Sequence, residues 1–82
     1  MKIPRDMGGE ELADLLRRYG YQMTRQRGSH IRLTSTVKGH EHHITIPRHK
    51  PLKVGTFSNI LTDVANYLEK DKEKFIKELL GH

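Results

Sequence analysis

Tyr21-Gln22-Met23-Thr24-Arg25-Gln26-Arg27-Gly28-Ser29-His30-Ile31-Arg32-Leu33-Thr34 is the stretch that decides the fold. Two polar runs meet at a Gly-Ser pair, and in each the apolar residues occupy alternate positions: Tyr21 and Met23 in the first, Ile31 and Leu33 in the second. Alternation with period two places those side chains on one side of an extended chain and the polar ones on the other. Pairing Met23 with Leu33 unites the apolar sides and leaves Arg27-Gly28-Ser29 as a three-residue turn, in which Gly28 is suited to a left-handed conformation. Beyond Gly39 the pattern returns in Ile44 and Ile46. Pairing Leu33 with Ile44 and Ile31 with Ile46 centres a second turn between Lys38 and Gly39. The result is three antiparallel strands whose polar face shows Gln26, His30, Arg32 and Thr45 side by side.

Upstream of this sheet, Leu12, Leu15, Leu16 and Tyr19 follow the spacing of one helical face over Gly9 to Arg18, with Glu10 and Glu11 in the first turn and Gly20 just past the end. Downstream, Pro47 to Pro51 opposes regular structure. Thr56 is placed to cap or open a second helix with the apolar face Phe57, Ile60, Leu61, Val64 and Leu68. Asp71 is a fresh N-cap for a terminal helix carrying Phe75, Ile76, Leu79 and Leu80, which Gly81 ends. The expected class is α+β, in the order α-β-β-β-α with an additional short C-terminal helix, the helices packed on one face of the sheet. The double-stranded RNA-binding domain has this order, and it holds its ligand by shape and phosphate contacts.

With 82 residues and no visible linker, repeat or low-complexity tract, residues 1–82 are expected to form one domain. The absence of cysteine excludes disulfides, thiolate catalysis and every cysteine-based metal motif. Apolar residues never run beyond two in succession, so no membrane span or signal-peptide core is found, and a cytoplasmic protein without membrane attachment is expected.

Fifteen basic and ten acidic residues give a net charge of +5, but the distribution is more informative. Between Arg17 and Lys53 stand nine Lys or Arg against the single acid Glu41, together with five of the six histidines. A polyanion is the natural partner of such a segment. Without Trp, and with Tyr21 on the apolar side, base stacking has little to offer, so affinity falls to Arg and Lys.

Arg25-Gln26-Arg27-Gly28-Ser29-His30 is the stretch richest in chemistry. At a glycine turn formed by Gly28 and Ser29 a phosphate can approach the backbone. The following imidazole, His30, exchanges protons near neutral pH, as histidine generally does. Arg25, Arg27 and Arg32 flank it and suit the charge on a phosphate under attack. Lys50 and Lys53 precede a helix start, a second place for a phosphate. His40-x-His42-His43 invites a metal reading, yet neighbours on a strand point to opposite faces, so no metal site is assigned and no cofactor is expected.

Ile3-Pro4-Arg5-Asp6, the helix from Glu10 to Arg18, Gly20-Tyr21, the Arg25 to His30 unit, Ile44-Thr45-Ile46-Pro47 and Lys53-Val54-Gly55-Thr56 together resemble the HicA toxin family. The resemblance implies a fold like the double-stranded RNA-binding domain, mRNA interferase activity in a toxin-antitoxin pair, and silencing by a HicB-like antitoxin. It maps the family's catalytic histidine onto His30. Gly8 departs from the Ser or Thr expected to cap the first helix. The implied reaction is metal-independent cleavage of mRNA, in which a base activates a 2′-hydroxyl against the adjacent phosphate. A single histidine cannot be both base and acid in one step, which makes His43, on the same polar face, a candidate for the second group. A non-catalytic RNA-binding module is the alternative; a DNA-binding accessory protein lacks a convincing recognition helix. The apolar edge of Lys70 to Lys77 serves either the core or an antitoxin interface.

Overall fold

The computed structural model describes residues 6–81; Ile3, Pro4 and Arg5 of the resemblance lie outside the described residues. Helix α1 (Gly9–Leu16) continues as a 3-10 turn (Arg17–Tyr19), followed by strands β1 (Gln22–Arg27), β2 (His30–Ser35) and β3 (His42–Pro47) and helices α2 (Val54–Leu68) and α3 (Lys72–Leu80). The sheet is antiparallel in the order β1-β2-β3. This is the expected α-β-β-β-α-α arrangement.

The β2–β3 register is the one that apolar parity dictates: Leu33 faces Ile44 and Ile31 faces Ile46. These four, with Leu12, Leu16, Phe57, Leu61, Val64, Phe75 and Leu79, form the buried centre of the core. Burying a side chain of this size contributes about 1.5–3 kcal/mol. Phe75, Ile76 and Leu79 are buried there, so the apolar edge of α3 belongs to the core. Arg18 secures this helix by donating to the Leu79 carbonyl (3.0 Å), while the Tyr19 and Phe75 rings meet edge to face.

Strand β1 departs from the expected register. Met23 does face Leu33, but Arg25 faces Arg32 and Arg27 faces His30, so one extra residue is accommodated between Met23 and Arg25. This bulge shortens the turn to Gly28-Ser29 and reverses the parity of every later residue in the strand. Gln26 therefore aligns with the buried Ile31 rather than joining the polar face, and Arg27 takes the place opposite His30 expected for it. Gly28 has φ +56, as the first central residue of a two-residue hairpin turn requires. All of β1 is exposed, Met23 at 45% included.

The three helix starts are capped in different ways. Gly8 is the N-cap of α1 and, in place of a Ser or Thr hydroxyl, its own N–H donates to Glu11 Oε1 (3.2 Å), one half of a capping box. That bond, and next the ammonium of Lys50, hold the Glu11 carboxyl below the usual range. Helix α2 begins at Val54 with Lys53 as N-cap; Thr56 lies inside the first turn. Asp71 caps α3 as expected, accepting from the Lys74 N–H (3.1 Å).

Candidate nucleic-acid interface and active site

Ladder partners on neighbouring strands share a face. One row of the sheet is therefore Arg27, His30 and Pro47, and the next is Arg25, Arg32 and Thr45. Ile31, Leu33, Ile44 and Ile46 point to the helices, which places these two rows on the outer face. The bulge is what brings Arg25 and Arg27 there together: with strict alternation, pairing from Met23 onward would have turned both inward.

Acidic residues pair with several other bases and with none of this group. Arg48 meets Glu10 at 2.6 Å, Lys50 meets Glu11 at 3.3 Å, Lys38 meets Glu69 at 2.9 Å and Arg17 meets Asp14 at 3.8 Å. Among the described residues, Arg25, Arg27, Arg32 and Lys53 have no carboxylate partner. Unpaired guanidinium groups on one surface are a field with no internal counter-charge, suited to phosphates.

Lys50 and Lys53 lie at the same end of the molecule as the Gly28-Ser29 turn, since β3 ends at Pro47 opposite His30. An open pocket there is lined by Pro47, His49, Pro51, Leu52, Lys53 and Thr56. The intervening loop contains a cis Lys50–Pro51 peptide. It is tied on both sides: Arg48 N–H donates to the Ser29 carbonyl (2.7 Å), and Gly9 N–H donates to the His49 carbonyl (3.0 Å). Gly9 is required by this approach, because a Cβ there would overlap the Pro47 carbonyl.

His43, the candidate for a second group, occupies the outer face but pairs with Thr34, four residues along β2 from His30. At about 3.3 Å per residue that is roughly 13 Å along the strand. Its ring is engaged by Thr34 Oγ1 (2.8 Å), which in turn meets Thr24 Oγ1 (2.8 Å), and by Glu41 (3.6 Å). It is thus removed from His30 and committed within the fold. His42 points the other way, with Nδ1 on the Tyr21 hydroxyl (2.7 Å), Nε2 on Asp63 (3.1 Å) and its ring stacked on Tyr67. Burial pushes the Tyr21 phenol far above its ordinary range and keeps it neutral. The histidine cluster of the sequence is therefore split between two faces.

A family model described as the HicA toxin of bacterial toxin-antitoxin matches residues 9–65, from the start of α1 into α2. The chain belongs to the HicA toxin family. Neither a curated protein nor a solved structure matched it. The HicA match spans the hairpin that carries His30 and the loop that ends at Lys53. Among the described residues, no helix is long and apolar enough to cross a membrane.

His49 and Arg48 are the residues that sequence reasoning passed over. Nothing in a stretch bounded by two prolines indicates its fold, and the one available signal was that β3, ending at Pro47 opposite His30, delivers the next residues to the same corner.

Proposed function

We propose that this HicA toxin is a ribonuclease that cleaves mRNA at the outer face of its sheet without a metal, with His30 taking part in proton transfer. The observation that carries the reading is the row Arg27–His30 set against the row Arg25–Arg32: an exposed imidazole beside three guanidinium groups with no carboxylate partner among the described residues. In the reaction a 2′-hydroxyl loses its proton, the 2′ oxygen bonds to the adjacent phosphorus, the P–O5′ bond breaks and the 5′ oxygen gains a proton. The guanidinium groups stabilise the charge that accumulates on the phosphate. The Gly28-Ser29 turn, Lys50 and Lys53 border the path of the backbone, Lys50 sharing its charge with Glu11. Because His42 and His43 point to opposite faces and are hydrogen-bonded there, the histidine-rich segment does not supply converging metal ligands. The partner that toxin-antitoxin membership implies would, in this reading, be a HicB-like antitoxin whose acidic groups cover the same cations, and the site of action is the cytoplasm.

The deciding experiment is His30→Ala, assayed for both cleavage and binding of a single-stranded RNA. General acid-base catalysis contributes about 10²–10⁴ in rate, so cleavage is expected to fall by that factor while binding, set by Arg and Lys, is retained. Cleavage at the original rate by the variant would discard His30 as the proton-transfer residue, whereas RNA binding without cleavage by the unsubstituted protein would leave the non-catalytic RNA-binding module, which the same unpaired cations would also support.

A further inference from the structure

Of the five histidines in the described residues, three have rings committed within the fold. His40 meets the Tyr67 ring edge to face at 5.0 Å, His42 is held by Tyr21 and Asp63, and His43 is held by Thr34 and Glu41. His30 and His49 differ from these. Both are exposed, and among the described residues neither ring has a hydrogen-bond or ion-pair partner.

The backbone brings these two to one corner. His30 faces Pro47 in the ladder, Arg48 N–H donates to the carbonyl of Ser29, and His49 follows one step later, about 3.8 Å along the chain. The His49 position is fixed by the Gly9 N–H on its carbonyl, and the residue lines the pocket together with Pro47 and Lys53. Pro47 and His30 are ladder partners, so the pocket that Pro47 lines lies at the end of the sheet where His30 begins β2. The charged groups around it are Arg48 paired with Glu10, Lys50 paired with Glu11, Lys53 at the start of α2, and Arg27 from β1. None of these is a side chain whose ordinary titration falls near neutrality, whereas histidine's does.

We infer that His49 is the second proton-transfer residue of RNA cleavage, a catalytic residue that donates its proton to the departing 5′ oxygen while His30 accepts the 2′-hydroxyl proton. This rests on the ribonuclease reading. The balance closes within one turnover: His30 gains the proton of the 2′-hydroxyl, the 2′ oxygen forms a bond to phosphorus, the P–O5′ bond breaks, and the 5′ oxygen takes the proton of the His49 imidazolium. The products are a 2′,3′-cyclic phosphate and a free 5′-hydroxyl, with His30 protonated and His49 neutral until solvent restores them. Lys53, in the same pocket, supplies charge and not the proton.

The test compares two substrates. One is an RNA dinucleotide, and the other is an aryl ester of uridine 3′-phosphate, whose phenolate leaves as a stable anion and needs no proton. His49→Ala and His49→Gln are each expected to slow the dinucleotide by about 10²–10⁴ and to leave the aryl ester near the unsubstituted rate. His30→Ala is expected to slow both. In the unsubstituted protein kcat/KM rises with pH as the base loses its proton and falls as the acid loses its own, so the His49 variants should retain the rising limb and lose the falling one. A purely structural role would instead lower the whole profile and slow both substrates, which would overturn the inference. Unchanged dinucleotide cleavage by both His49 variants, with His30→Ala inactive, would remove His49 alone. Full activity of His30→Ala would remove the ribonuclease mechanism itself.

Discussion

His30 and His42 begin neighbouring strands of the same sheet, yet one end of the molecule leaves its histidine open and the other encloses it. His42 sits between the Tyr21 hydroxyl and Asp63 with Tyr67 stacked on its ring, while Tyr67 itself donates to the His40 and Ser35 carbonyls and accepts from the Lys38 N–H. That end is a tightly bonded closure of the β2–β3 turn. At the other end, the exposed rings of His30 and His49 have no hydrogen-bond or ion-pair partner among the described residues. Residue type is the same in both places; what differs is whether the ring's nitrogens are committed within the fold.

The largest effects should fall on opposite observables. His30→Ala should lower the RNA cleavage rate by about 10²–10⁴ with the melting temperature unchanged, as checked by a cleavage assay and a thermal melt on the same preparation. His42→Ala should do the reverse: it leaves the buried Tyr21 hydroxyl without its partner, at a cost of about 1–3 kcal/mol in denaturant unfolding, with cleavage per folded molecule retained. A His42 variant that loses cleavage without losing stability would break the comparison.

Gly9→Ala links the two properties. A methyl group against the Pro47 carbonyl must displace the loop, so the expected result is a stability loss of about 1–3 kcal/mol accompanied by slower RNA cleavage, measured by unfolding and by kcat/KM together. Gly28→Val meets no neighbour at the side-chain position, and its cost should be limited to the left-handed backbone, about 1–2 kcal/mol.

A smaller effect sharpens the electrostatic side. Four unpaired cations at about −0.7 each give log binding constant against log salt a slope near −3, and Lys53→Ala should make it shallower by about 0.7. The smallest effect concerns Glu11, whose carboxyl is held low by the Gly8 N–H and Lys50. A depressed folded pKa means that its contribution is present above the unfolded carboxylate pKa and is lost as pH falls through the folded one. Glu11→Gln should therefore flatten the acid side of the stability profile slightly and leave the neutral side nearly level.

The helices and the β2–β3 register were legible because buried apolar residues leave a period in the sequence, and Ile31, Leu33, Ile44 and Ile46 admit one parity. The bulge was not, because β1 is exposed along its length and Thr24 and Arg25 are both polar, so no burial pattern records the extra residue. The start of α2 was missed by a few positions because Lys53 is an N-cap without a capping side chain. For the candidate site, the turn and its charges pick out His30 and the flanking arginines, which the sheet then places on one face. His49 could not be picked out in this way, since its place depends on a backbone bond to Gly9 that is forty residues distant in the chain.

The extra residue in β1 acts as a phase shifter for everything between it and the turn. Deleting Thr24 would restore strict alternation, swing Arg25 and Arg27 toward the helices and send Gln26 outward, while removing a single uncharged residue. Two cations, Arg25 and Arg27, would leave the outer face without any change in net charge. The electrostatic identity of this surface is thus written in chain length rather than in composition.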